Sequence, residues 1–280
     1  MSADFSLLLP VYGGDRADHL IRAFETSVNE QTLAPAEVVI VRDGVVSPEL
    51  STAIAHLVST SRVPVRLVEL EENRGLSRAL SEGLARCSHE IVARMDADDE
   101  SLPDRFEQQL RALVEDSLDL IGGGMVEFGS GSERQLGVRI PPSGARIGPY
   151  ARFHDPFNHP TVVYRREAVQ RAGGYRDDTP MMEDYSLFAR MIAAGARVDN
   201  LAVPVVRYRV DEGAYKRRGG LAQLRAELRL QHELRALGFT TRVQALRNVI
   251  VRGGYRLVPL AIRRATYRRV FANGAARNRK

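Results

Sequence analysis

Ile91-Val92-Ala93-Arg94-Met95-Asp96-Ala97-Asp98-Asp99 is the stretch that decides the fold. It starts as a short, mostly apolar strand and stops abruptly in three acids. Ser101, Leu102 and Pro103 then open an amphipathic run with Phe106, Leu110 and Leu113 at helical spacing. A strand that ends in this way delivers carboxylates to one fixed point. The small Ala97 between Asp96 and Asp98 lets the chain turn closely past a ligand. The two acids offer hard oxygens, suited to Mg²⁺ or Mn²⁺ that already bridges two phosphates. The plainer alternative is that Asp98 and Asp99 cap the following helix.

Working outward, the same alternation of strand and helix recurs. Phe5 to Tyr12 reads as a buried strand entering the turn at Gly13-Gly14, and Leu20, Phe24 and Val28 share one helical face. Glu37 to Val41 is a second buried strand, ended by Arg42-Asp43-Gly44. Residues 48 to 60 are helical in period, Val63 to Leu70 is a third strand, and Leu76, Leu80 and Leu84 mark a helix between Gly75 and Cys87. This spacing predicts a mostly parallel sheet with helices on both faces. Ligands of such sheets bind at the carboxyl ends of the strands, where Tyr12, Asp43, Asn73 and Asp96 all fall. Turn chemistry alone would also favour Asp and Asn there.

Beyond this core, Leu118 to Phe128 reads as a strand interrupted by Gly122-Gly123-Gly124, and Ser130 to Ser143 as a loop or hairpin excursion. Thr161 to Tyr164 and Leu201 to Tyr208 are further strands. Glu183 and Asp184 open a helix that continues through Leu187, Met191 and Ile192, so the pair also suits a charged N-terminal cap. Leu221, Leu224, Leu228 and Leu234 predict a last amphipathic helix of the main body.

Length and composition bound the function. A chain of 280 residues holds one large core, or a domain of about 200 residues with an appendage. One cysteine, Cys87, permits no internal disulfide and no thiolate cluster, so a reducing interior is expected. Met1-Ser2-Ala3-Asp4 lacks the basic start of a signal peptide, and no run approaches the roughly 18 to 20 apolar residues needed to span a bilayer. The formal net charge of +5 hides a partition: residues 241–280 carry eleven Arg or Lys and no acid, and the rest of the chain sums to −6. Within that tail Val243, Leu246, Val249 and Ile250 share a helical face. The expectation is therefore a catalytic body over 1–238 and a basic amphipathic helical tail over 239–280, a possible anchor on an anionic membrane surface. Basic tails also bind nucleic acid, but arginines alternating with apolar residues on an otherwise acidic protein argue against that reading.

Taken in order, Leu8-Leu9-Pro10-Val11-Tyr12, Val41-Arg42-Asp43-Gly44, Glu72-Asn73-Arg74-Gly75-Leu76-Ser77-Arg78-Ala79, Asp96-Ala97-Asp98-Asp99 and Glu183-Asp184-Tyr185 resemble the family-2 glycosyltransferases of GT-A fold. More narrowly, Pro156-Phe157-Asn158-His159-Pro160-Thr161 and Tyr215-Lys216-Arg217-Arg218-Gly219-Gly220 are similar to the amylovoran-type exopolysaccharide branch. The likeness spans residues 5 to about 235.

The resemblance implies a GT-A, Rossmann-like α/β fold and an inverting, metal-dependent transfer from a nucleotide-diphosphate sugar, UDP-linked by expectation. The acceptor it implies is a polyprenyl-diphosphate-linked glycan at the cytoplasmic face of the cell membrane. Pro10, Val11 and Tyr12 would line the nucleobase pocket and Asp43 would accept a hydrogen bond from the base. Asn73, Gly75 and Ala97 would complete the nucleotide site, and Arg78 or Arg74 would contact the diphosphate, with a solvated helix position as the alternative for either. Asp96 would meet ribose or metal, and Asp98 would be the direct metal ligand. Asp184 matches the general base, with His159, Glu183, Lys216, Arg217 and Arg218 on the acceptor or phosphate side. Arg42 and Ser81 depart from the pattern of many relatives, so base and sugar specificity do not carry over. A sugar-phosphate nucleotidyltransferase is the alternative enzyme, although Gly13-Gly14-Asp15-Arg16 is too short for its glycine-rich phosphate loop.

Overall fold

Strand β1 (Phe5–Tyr12) sends alternate side chains to opposite faces, as a pleated strand must. Phe5, Leu7, Leu9 and Val11 pack on one face with Leu20, Phe24 and Val28, while Leu8 packs on the other with Leu80 and Leu84. Apolar residues on both sides of β1 therefore demand two helical layers. Each fully buried aliphatic side chain contributes about 1.5–3 kcal/mol relative to exposure. The computed structural model describes residues 4–129, 135–177, 181–210 and 220–257.

On the first face lie α1 (Ala17–Phe24), which continues as a π-helical turn over Glu25–Asn29, then α2 (Pro48–Thr60) and α4 (Arg105–Glu115). On the second lie α3 (Leu76–Arg86), α6 (Arg166–Arg171) and α7 (Glu183–Ala193). Among the described residues the sheet has nine strands. The others are β2 (Glu37–Asp43), β3 (Val65–Leu70), β4 (Ile91–Arg94), β5 (Glu100–Ser101), β6 (Leu120–Gly129), β7 (Gln135–Arg139), β8 (Val163–Arg165) and β9 (Val198–Val210). Their order is β3-β2-β1-β4-β8-β6-β9-β5, with β7 paired to β6.

The first four strands in that order are parallel, as the sequence predicts. Strand β8 then runs antiparallel to both β4 and β6, and β6 pairs parallel with β9. Two expectations are refined here. The triple glycine does not interrupt β6, which instead shifts register against β9 at Gly122 to Met125. A Cβ on Gly122 would collide with Asn200 and Phe157, so the close approach requires glycine. The excursion after β6 returns as β7 and closes a hairpin.

The C-terminal part packs as helices. Helix α8 (Leu221–Ala236) lays Ala226, Leu230 and Leu234 against Met182, Tyr185 and Ala189 of the α7 segment. After it come α9 (Arg242–Asn248), capped by a Thr241–Gln244 box, a π-helical turn over Val249–Gly253, and the short α10 (Gly254–Leu257). Among the described residues no helix is long and apolar enough to cross a membrane.

Candidate active site

The carboxyl ends of β1, β2 and β4 and the start of α7 open onto one cleft of about 1400 Å³. It is lined by Pro10, Val11, Tyr12, Asp43, Asn73, Gly75, Asp96, Ala97, Asp98, His159, Glu183 and Asp184, so twelve of the positions singled out from the sequence meet in one place. Arg78 is not among the lining residues; it points to the surface and pairs with Glu82 one turn along α3. Lys216, Arg217 and Arg218 lie outside the described residues.

At the parallel-sheet end, Asp43 is buried at the tip of β2. Its Oδ1 accepts from the Arg74 N–H at 2.8 Å and its Oδ2 from the Gly75 N–H at 2.9 Å. Gly75 holds φ +86°, a left-handed conformation that suits glycine, and it starts α3 with these amides turned to Asp43. Each carboxylate oxygen keeps a lone pair for a ligand. Tyr12 is exposed at the rim, and its N–H donates to Asp15 at 2.9 Å. Burial, with Asp98 and Asp96 nearby, pushes the Asp15 carboxyl up to about 7.

The acidic strand end is more strongly organised than its sequence suggests. Arg94, fully buried, forks onto both oxygens of Asp96, with Nη1 donating to Oδ2 at 2.8 Å. Such a bidentate pair fixes the carboxylate plane. The ligand oxygens of Asp96, Asp98 and Asp99 lie within 4.8 Å of one another. Burial, and then the charge of Asp96, raises Asp98 to about 6. Asp99 accepts the Arg209 N–H at 2.8 Å and has its Oδ2 buried without a hydrogen-bond partner. Three crowded carboxylates with one orphaned oxygen fit a hard divalent cation, which would relieve both the repulsion and the unmet acceptor.

At the α7 end, Asp184 stands in the first turn of its helix, with Oδ1 accepting the Tyr185 N–H at 2.7 Å. Its pKa is raised by burial, against the pull of that N–H, Arg94 and Asp155. Asp155 is driven well above the carboxylate range, by burial first and then by the charge of Asp184, and a side-chain interaction between the two favours the proton on Asp155. Glu183 rises to about 7, from burial and then Asp184. His159 is held neutral by burial and by Arg94; its Nδ1 lies 3.9 Å from Asp184 Oδ2, and its Nε2 is 3.2 Å from the Tyr175 hydroxyl. That places the imidazole beside Asp184 as a neutral wall.

Arg105 joins the two ends from beneath. Its buried guanidinium donates to the Arg94 carbonyl at 2.7 Å and to the Pro160 carbonyl at 3.0 Å. Burial first, and then the charge of Arg94, lower its pKa to about 9 against the opposing pull of Asp99 and Asp96. Sequence reading missed Arg94, Arg105, Asp155 and Asp15. For Arg94 a signal was present, since a charged residue sits inside an otherwise apolar buried strand two places before Asp96.

This sheet-edge cleft belongs to a known family. The chain matches Glycosyl transferase family 2 over residues 6–173, and it is a member of that family of glycosyltransferases. It is 34% identical over 264 residues to the amylovoran biosynthesis glycosyltransferase AmsE of Erwinia amylovora, covering 94% of this chain and 97% of the relative. It is 32% identical over 268 residues to the UDP-Gal:alpha-D-GlcNAc-diphosphoundecaprenol beta-1,3-galactosyltransferase of Escherichia coli, covering 95% and 96%. Among solved structures, S. aureus TarS in complex with UDP-GlcNAc superposes with a TM-score of 0.64 at 18% identity, over 82% of this chain and 66% of that one. The fold is GT-A, and the nucleotidyltransferase alternative gives way to the glycosyltransferase.

Proposed function

We propose that the protein is an inverting, divalent-metal-dependent hexosyltransferase. Its donor is a UDP-linked sugar and its acceptor a hydroxyl of a polyprenyl-diphosphate-linked glycan, in the assembly of a surface polysaccharide at the inner face of the membrane. The observation that carries this reading is that Asp184 lines the same cleft as Asp96 and Asp98. The printed substrates of the galactosyltransferase relative and the UDP-GlcNAc bound to TarS support the donor and acceptor classes.

In this reading Pro10, Val11 and Tyr12 receive the base, with Asp43 accepting a hydrogen bond through its remaining lone pairs. Asn73, Gly75 and Ala97 face the rest of the nucleotide. Asp98, with Asp96 aligned by Arg94, would hold Mg²⁺ or Mn²⁺, which supplies positive charge against the departing diphosphate. Asp184 accepts the proton of the acceptor hydroxyl as that oxygen bonds to the anomeric carbon and the bond to the nucleoside diphosphate breaks. One base opposite one leaving group gives inversion. Glu183 and neutral His159 orient the acceptor, and Asp155 keeps Asp184 charged by donating to it.

The test is a panel of nucleotide sugars, with and without Mg²⁺ or Mn²⁺, assayed for hydrolysis and for transfer to a polyprenyl-diphosphate glycan. Metal-dependent turnover of a UDP-sugar, with inverted anomeric configuration in the product, is expected. Turnover insensitive to chelator, or retention of configuration, refutes the reading.

A further inference from the structure

Between residues 242 and 256 the inner side carries Ala245, Asn248 and the half-buried Arg252 and Arg256, while several aliphatic side chains face solvent together with Arg242 and Arg247, unlike an amphipathic helix that serves a core. On the inner side Asn248 is buried, and its Nδ2 donates to the Arg152 carbonyl at 2.8 Å and to Gln231 Oε1 at 3.1 Å. Arg252 Nε lies 2.8 Å from Oε1 of the fully buried Glu227, which Arg256 also pairs with, and Arg252 Nη1 donates to the Phe153 carbonyl at 3.0 Å. On the outer side Val243 is 78% exposed, Leu246 61%, Ile250 64% and Val251 56%. Tyr255, further along the same run, lines the catalytic cleft.

We infer that this outer face is a membrane-docking surface whose occupant is an anionic lipid bilayer. The inference rests on the proposed lipid-linked acceptor and deepens it by naming the surface. Charge selects the occupant. The segment from 241 onward carries eleven basic residues and no acid, seven of the eleven after residue 257. A second copy docking face to face would bring two such segments together, and like charge opposes that pairing. An anionic surface attracts it, while the exposed aliphatic side chains enter the headgroup boundary.

Attachment through this face also has a geometric consequence. Glu227 belongs to α8, α8 packs on α7, and α7 begins with Glu183 and Asp184. The docking face and the carboxylate proposed as base are thus parts of one packed unit. A bilayer held at Val243, Leu246 and Ile250 sets the height of the cleft above the lipid, with Tyr255 on the side from which a lipid-tethered sugar enters.

The experiment is vesicle flotation of the full chain at low salt, using phosphatidylcholine vesicles with and without phosphatidylglycerol. The wild type is compared with the double variant Leu246→Glu, Ile250→Glu. The wild type is expected to float with the anionic vesicles, and the variant's partitioning to fall about tenfold or more as two charges oppose insertion. Its melting temperature and its hydrolysis of donor in vesicle-free buffer should match the wild type. A wild type that stays soluble with anionic vesicles overturns the inference, as does a variant that floats equally well. A markedly lower melting temperature of the variant also overturns it, because the face would then be covered by the chain's own residues. So does a wild-type dimer that the variant dissociates, which assigns the face to a second copy. Loss of donor turnover in both proteins with flotation intact would instead strike the transferase reading and leave the docking surface standing.

Discussion

At the parallel-sheet end of the cleft, Asp43 is fixed by the backbone N–H groups of Arg74 and Gly75, and Asp96 by the buried fork of Arg94. At the α7 end, Asp184 leans on another carboxyl, Asp155, with Glu183 also beside it. The first arrangement holds charge in place with donors and a cation. The second concentrates protonatable groups in a buried spot, where burial raises the proton affinity of all three and the charge of Asp184 adds to it at Asp155 and Glu183. A site that must grip a nucleotide diphosphate is served by the first kind of support. One that must take up a proton is served by the second.

The largest effect should come from Asp184, the carboxylate proposed as the general base. Asp184→Asn is expected to lower kcat about 10² to 10⁴-fold, the usual contribution of a positioned proton acceptor, with donor KM little changed. Steady-state kinetics at saturating donor check this. An equal rise in donor KM would make Asp184 part of the nucleotide grip and erase the distinction between the two ends.

Arg105 is the next test, since it ties the ends together through the Arg94 and Pro160 carbonyls. Arg105→Met removes a buried cation and strands both carbonyls. Each stranded buried acceptor costs about 1–3 kcal/mol, partly offset by no longer burying the charge. A lower midpoint in urea unfolding is expected, together with reduced kcat, because the acid strand and the His159 turn lose their common strut. Unchanged stability with unchanged turnover would mean that the two ends are held independently.

The parallel-sheet end is legible in the sequence. The periods of β1 to β4 are regular, and Asp43, Asn73 and Asp96 mark strand ends or the turn into a helix, where local chain geometry puts them on one edge. The α7 end was legible only at Glu183, Asp184 and His159. Asp155 sits in an irregular stretch between α5 (Ile147–Ala151) and β8, with no period to announce its direction, and its pairing with Asp184 depends on packing across 29 positions of sequence. Arg105 was hidden for another reason: its place in the first turn of α4 reads as a solvated helix start, and only burial shows otherwise. The spacing of the tail predicts an amphipathic helix, but spacing cannot say which face turns inward.

Asp155 offers a smaller, sharper test of proton sharing. By donating to Asp184 it favours the charged form of that group, so removing the donor raises the Asp184 pKa. Because Asp184 must be ionised to accept a proton, Asp155→Ala should move the acid limb of the kcat profile to higher pH. Activity would then fall a few-fold at mildly acid pH and little at alkaline pH. Asp155→Asn, whose amide can still donate, should restore most of the profile. A shift to lower pH in the alanine variant would instead show Asp155 acting as a second negative charge.

The smallest effect is expected at Arg78, and it bears on how far the parallel-sheet end extends along α3. The family resemblance points Arg78 at the nucleotide, yet its guanidinium pairs with Glu82 Oε1 at 2.7 Å on an exposed helix face. An exposed pair at this spacing is worth about 0.3–0.5 kcal/mol. Arg78→Ala should therefore shift the melting temperature by about a degree or two at most, with donor KM essentially unchanged. Gly75→Ala, one turn earlier, should do more. There the backbone conformation at φ +86° is strained for alanine although a Cβ would meet nothing within 4 Å, and the N–H that holds Asp43 would be displaced. Measuring donor KM for both variants separates the alternatives. A strong effect at Gly75 with none at Arg78 confines the grip to the first turn of α3 and the amides it presents, whereas a large KM increase at Arg78 means that its side chain leaves Glu82 and swings to the phosphates when donor binds.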